Sequence, residues 1–208
     1  MYNPALFKVA DSARVEELVR RYSFATIAGV VDGLVRLAYA PTLFLPGGQF
    51  GRVQFHLARA NPMAEMQDGA RLTLSFLGPH AYISPRWYKS SEQVPTWNYI
   101  AIEGVGRVRR LNSDELKAQL ALLVAQNEKH VSGSEPWALS RLSADRFEAL
   151  RKAICGFEVE LASLEGKMKL SQNRAAEDAA GAILGLEAQG ESAGLAIAEA
   201  MKEIYGAT

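Results

Sequence analysis

Two runs rich in β-branched and apolar residues, 24–30 and 34–45, are joined at Asp32-Gly33. A two-residue hairpin needs positive φ at its centre, which Asp and Gly adopt more readily than other residues, so the chain is committed there to antiparallel pairing. The same grammar continues downstream. Pro46-Gly47-Gly48 marks a turn, 51–57 reads as a third strand, and Asn61-Pro62 provides the cap and first position of a helix reaching Gln67, stopped by Asp68-Gly69. Residues 71–77 form a fourth strand, 80–84 continue it or pair nearby, 85–95 are a loop, and a long strand covers 96–109. At least five strands are expected.

The remainder is mostly helical. A short helix precedes the strands, capped by Asp11 or Ser12, burying Val15, Leu18 and Val19 and ending near Arg21. Asn112-Ser113 starts another with Leu116, Leu120, Leu123 and Val124 inward, and Ser143 caps a third in which Phe147, Leu150 and Ile154 share a side. Phe157, Val159 and Leu161 alternate with Glu158 and Glu160 as in a half-buried strand, and alanine-rich helices follow at 175–186 and 192–205. Strands gathered in one half and helices in the other favour an α+β fold. Short strands with tight turns suggest a small barrel, because closure removes exposed edges.

Composition narrows the functional classes. The 208 residues carry 23 Lys+Arg against 23 Asp+Glu, so the electrostatic footprint of a phosphate-tracking nucleic-acid binder is missing. Direct DNA binding starts from a low expectation. The single cysteine, Cys155, can make neither an internal disulfide nor a thiolate zinc site, which fits a reducing cytoplasm. No signal-peptide pattern and no apolar run of roughly 18 residues is present, so no membrane partner is expected.

Five stretches exceed what secondary structure requires. In 56–62, His56 ends a strand, Arg59 follows, and Asn61-Pro62 opens a helix whose orphan N–H groups suit an anion; a plain capped helix with a solvated arginine is the alternative. In 78–88 and 94–99, aromatics crowd around prolines: Trp97 and Tyr99 could stack on a planar ring with Asn98 at its edge, or serve as core. Residues 165–174, including Lys169, Ser171, Gln172 and Asn173, suit carbonyl or phosphate oxygens, or form a turn capped by Asn173. Tyr39-Ala40-Pro41-Thr42 marks an edge strand or a bulge. His56, His80 and His130 have no metal-pair spacing, no triad spacing surrounds His80, and no metal is expected.

Taken in order, Met1-Tyr2 with Pro4, then 56–62, 78–88, 94–99, Gly156-Phe157 and 164–174 make the sequence resemble the PaiB-type family, described as FMN-binding negative transcriptional regulators. The resemblance extends to about residue 188, implying one split β-barrel FMN-binding domain over 1–188 with flanking helices and a C-terminal helical extension over 189–208, a dimer or partner helix. It implies a fold related to pyridoxamine phosphate oxidase, a homodimer, and FMN at the interface. By that similarity Arg59 and Asn61, at the end of the strand carrying His56, meet the phosphate, the ring lies near Tyr39 of the second strand, and Trp97, Asn98 and Tyr99 of the partner chain with residues 169–173 form the wall. The family's His-x-Pro pattern is Tyr39-Ala40-Pro41 here. Two other functions fit the same fold: a flavin-dependent oxidoreductase or reductase, in which the cofactor carries the chemistry, and a haem- or other ligand-binding sensor with His56 or His80 as axial ligand.

Overall fold

The computed structural model describes residues 1–131, 133 and 135–206; Ser132, Ser134 and the last two residues of the expected extension, Ala207 and Thr208, lie outside the described residues. The chain runs α1 (Ser12–Arg21), β1 (Phe24–Val31), β2 (Leu34–Pro41), β3 (Leu43–Leu45), β4 (Arg52–Ala58), β5 (Arg71–Ile83), β6 (Thr96–Arg110), α2 (Ser113–Glu128), α3 (Ala144–Lys152), β7 (Ile154–Lys169), α4 (Ala176–Gln189) and α5 (Ser192–Tyr205). The strands form one sheet in the order β2-β1-β5-β6-β7-β4-β3. The architecture is the expected α+β split barrel. No helix among the described residues is long and apolar enough to cross a membrane.

The hairpin forms at its signal. Asp32 and Gly33 have φ of 52° and 73°, and β1 and β2 pair in register from Val31↔Leu34 to Phe24↔Pro41. The expected second strand over 34–45 divides at Thr42, whose amide and Oγ1 both donate to the Ser23 carbonyl at 2.8 Å. Pro41 has no amide to extend the ladder, so the chain leaves β1 and residues 43–45 pair with β4 instead. This places Pro41 on an edge strand, one of the two readings of that proline.

Two other expectations are corrected and one alternative is decided. Residues 61–67 do not form an α-helix: Asn61 caps a single 3-10 turn, Pro62–Glu65. Of the two readings of 80–84, continuation holds: residues 71–83 are one strand, β5. The α3 helix has its Ser143 cap but ends at Lys152, so Ile154, expected to share a side with Phe147 and Leu150, opens β7 instead, and none of the helix residues is buried.

Two compact units divide the chain: Met1–Leu18, Leu77–Ile102 and Glu165–Thr208 in the first, and Val19–Phe76 and Glu103–Leu164 in the second. The first is gathered from three separated stretches, with Ile83, Ile100, Leu170, Ile183, Ile197 and Met201 among its buried residues. The second centres on Ile27, Val53, Phe55, Leu74, Phe76 and Phe157, with the Phe55 and Phe157 rings stacked at 5.4 Å.

Candidate functional site

In the first unit, strand alternation determines which motif residues face outward. On β6, Asn98 and Ile100 are buried while Trp97 is 52% exposed. On β5, Ala81 and Ile83 are buried and Tyr82 is 46% exposed. The outward rings meet: His80 lies 6.2 Å and Tyr82 6.0 Å from Trp97, the latter edge-on at 73°. A partly exposed aromatic cluster of this kind offers a planar ligand a stacking surface.

The lysines of β7 brace this strand. Lys169 Nζ donates to Thr96 Oγ1 at 2.5 Å and to the Trp97 carbonyl at 2.9 Å, and partial burial lowers its pKa below the usual lysine value. Lys167 is buried, donates to the Tyr2 carbonyl at 3.1 Å, and lies over the rings of Tyr2 and Tyr99. Beneath them the polar residues serve one another. Asn98 Nδ2 donates to Ser171 Oγ at 2.9 Å, with Met201 Sδ at 3.4 Å, and the Tyr205 hydroxyl donates to the Ser171 carbonyl at 2.6 Å. Gln172 closes on its own turn, accepting from the Leu170 amide and donating to the Met168 carbonyl. Ser171 has φ of 69°, a left-handed conformation that a side chain adopts at a cost of about 1–3 kcal/mol. Hence Asn98 and Ser171, expected to present polar atoms to a ligand, are buried and bonded together, Gln172 is committed to its turn, and Trp97 and Asn173 are the exposed residues of the set.

The loop bearing Trp87 is fixed to α4. The Lys89 and Ser90 amides donate to Asp178 Oδ1 at 2.8 and 2.9 Å, and Arg174 stacks on Tyr88 and bonds Gln93. Trp87 fills the groove left by two glycines: a Cβ on Gly181 would fall 2.0 Å from the Trp87 carbonyl oxygen, and one on Gly185 2.2 Å from its Cδ2.

The second unit holds the other expected residues. Arg59 lies at the exit of β4 as predicted, but its Nε donates to the Lys152 carbonyl at 2.9 Å and its Nη2 to the Ile154 carbonyl at 3.1 Å. It closes the end of α3, so its removal costs more than that of a solvated arginine. Asn61 Oδ1 accepts from the Met63 amide at 2.9 Å, and the single 3-10 turn behind it has no helix-length dipole. The expected anion site therefore lacks its helix. Tyr39 stands 63% exposed on edge strand β2 opposite Thr26.

His56 Nδ1 lies 3.5 Å from Nε2 of the fully buried Gln119. Burial pushes the imidazole pKa below its ordinary value, the Gln119 contact opposing this only in part. The unfolded chain protonates first as pH falls through about 6.5, so this residue's contribution to stability is present above that pH and is lost towards the lower folded pKa. We expect wild-type stability to fall below pH 6.5 with a component that His56→Gln removes, checked by urea melts of both proteins between pH 5 and 7.5.

Sequence reasoning missed the pairing of His80 and Tyr82 with Trp97. The signal was their i, i+2 spacing on one strand, which puts both on one face.

The family described as "Putative FMN-binding domain" matches residues 1–163. The protein named protease synthase and sporulation protein PAI 2 of Bacillus subtilis is 34% identical over 175 residues, covering 84% of this chain and 83% of that one. Among solved structures, the flavocytochrome Anf3 of Azotobacter vinelandii aligns with a TM-score of 0.56 at 15% identity, covering 84% of this chain and 75% of that one. The FAD and heme binding protein of Mycobacterium smegmatis aligns at 0.55, also at 15% identity, over 83% and 78% of the two chains. Those likenesses show the fold. The family match over residues 1–163 and the identity to PAI 2 establish that the chain belongs to the FMN-binding-domain family, of PaiB type.

Proposed function

We propose that the protein is a cytoplasmic homodimer that binds FMN between its two chains and acts as a flavin-liganded regulator. The observation that carries the reading is the outward cluster of His80, Tyr82 and Trp97, an aromatic surface in a chain whose family is named for FMN. The donors present suit a flavin: rings for the isoalloxazine face, with Lys169 fixed beside Trp97 as a cation for its electron-rich edge. Tyr39, in place of the family's histidine, leaves that position without an imidazole.

The dimer is supported by β1 and β2. Register puts Phe24, Val30, Val35, Leu37 and Tyr39 on one side of the hairpin, and all five are between 54% and 73% exposed. An apolar face on an edge strand is a liability unless something covers it, and a second copy covers it with the same patch.

Apo-protein titrated with FMN and followed by flavin fluorescence tests the reading. We expect saturable binding that Trp97→Ala weakens roughly tenfold, the loss expected for a stacked aromatic. Absence of a flavin complex in the wild type would refute it. Rapid bleaching of bound flavin by a nicotinamide reductant would instead assign an oxidoreductase.

A further inference from the structure

A cavity of about 420 Å³ in the first unit is lined by Tyr82, Ser84, Arg86, Trp87 and Gln189. Its size is that of a small-molecule site, and its wall sets two aromatic rings beside one cation. No carboxylate is among the lining residues, and the exposed Glu92 and Glu191 take no part in it.

Several charged neighbours along the loop and α4 are engaged elsewhere. Lys89 pairs with Glu177 at 3.4 Å, Arg174 stacks on Tyr88 and bonds Gln93, and Glu187 pairs with Lys202 at 2.7 Å. Arg86 differs. It is exposed, its guanidinium has no partner among the described residues, and its five N–H donors are left over. Ser84 Oγ accepts from the Arg86 amide at 3.3 Å, which leaves the hydroxyl hydrogen to donate, and the Gln189 amide is unengaged. The carbonyls of Leu186 and Glu187 at the end of α4 already accept from the Gly190 amide.

The aromatic wall is fixed before any ligand arrives. Trp87 packs on Gly181 and Gly185 so closely that neither could carry a Cβ, and the loop behind it is tied to Asp178. Its ring is only half-buried there, so part of it is left for the cavity. A guanidinium forks a carboxylate through two parallel hydrogen bonds, and a rigid ring covers a flat apolar body at little entropic cost. A bare inorganic anion would need the cation alone; two rings at the same wall call for an apolar body attached to the anion. We propose that this cavity binds a small aromatic carboxylate, its anion held by Arg86 with Ser84 and Gln189, its ring laid against Trp87 and Tyr82. The pocket stands on its own residues. Tyr82 also touches Trp97, so its occupant would lie beside a stacked flavin, and this relation alone rests on the function proposed above.

Arg86→Gln is the informative variant, because an exposed arginine without a partner can be replaced with little effect on the fold. Lys89→Gln, which removes a cation of the same loop, is the control. Calorimetric titration with naphthoate at constant ionic strength should show saturable binding that Arg86→Gln weakens roughly tenfold to a hundredfold, the range for one charge-assisted contact, and that Lys89→Gln leaves unchanged. Naphthamide, the neutral analogue, should bind wild type and Arg86→Gln alike. No saturable naphthoate binding, naphthoate affinity unaffected by Arg86→Gln, or an equal loss for naphthamide would overturn the pocket. FMN titration of the same proteins keeps the two readings apart. A wild type that takes naphthoate through Arg86 but no FMN overturns the flavin reading and leaves the pocket standing. FMN binding that Trp97→Ala weakens, in a protein without a naphthoate site, does the reverse.

Discussion

Gly181→Ala is expected to destabilise the protein by about 3 kcal/mol, at the upper end for overpacking a filled site. The new methyl would meet a backbone carbonyl 2.0 Å away, which no rotamer change can move. Relief requires the whole loop to shift, taking Trp87 out of its groove and straining the Asp178 contacts to Lys89 and Ser90. The sign of the effect is diagnostic. In an open helix the same exchange stabilises by about 1 kcal/mol through helix propensity. Gly194 on α5 is such a position, its nearest neighbour being 3.4 Å from an added Cβ, so Gly194→Ala should be neutral or stabilising. Thermal melts should place Gly181→Ala about 6–12 °C below wild type, at about 2–4 °C per kcal/mol for a chain of this size. A melting point at or above that of wild type would show that Trp87 does not occupy this groove.

The second large effect concerns assembly. Leu37→Asp puts a carboxylate in the middle of the exposed hairpin face, with Tyr39 and Val35 on either side along β2 and Ala28 opposite on β1. In a two-fold contact the same charge arrives from both partners, so it is desolvated and faces its own image. A penalty of about 4 kcal/mol, modest for two unpaired buried charges, weakens dimerisation roughly a thousandfold. The isolated chain should tolerate the change, because Leu37 is already 54% exposed. Light scattering across micromolar concentrations should find wild-type dimers and Leu37→Asp monomers, with FMN binding lost alongside. A wild type that is monomeric throughout that range would remove the shared-site arrangement.

Much of the fold was legible in the sequence because its signals are local. Asp32-Gly33, Asn112 and Ser143 each act through their own backbone neighbours, and each appears where it was expected. The failures arose where a distant group intervened. The break at Thr42 depends on the Ser23 carbonyl, and the shortness of the Pro62–Glu65 turn was equally invisible from its own cap. The motif residues show the same division. Strand alternation places Trp97 outward and Asn98 inward with Ile100, whereas the group that satisfies the buried Asn98 is a serine 73 positions away. Arg59 could be placed from the sequence, but its engagement with two carbonyls near residue 153 could not.

The first unit also bears on the order of synthesis. Its parts come from the start, middle and end of the chain, and Met201 and Tyr205 on α5 meet Asn98 and Ser171. A growing chain can form the β1–β2 and β3–β4 hairpins early, but Asn98 remains without its helical neighbour until Met201, 103 positions later, has been made. The strand that bears the aromatic surface is thus braced later than the hairpins that precede it, and the unit closes only once α5 has emerged.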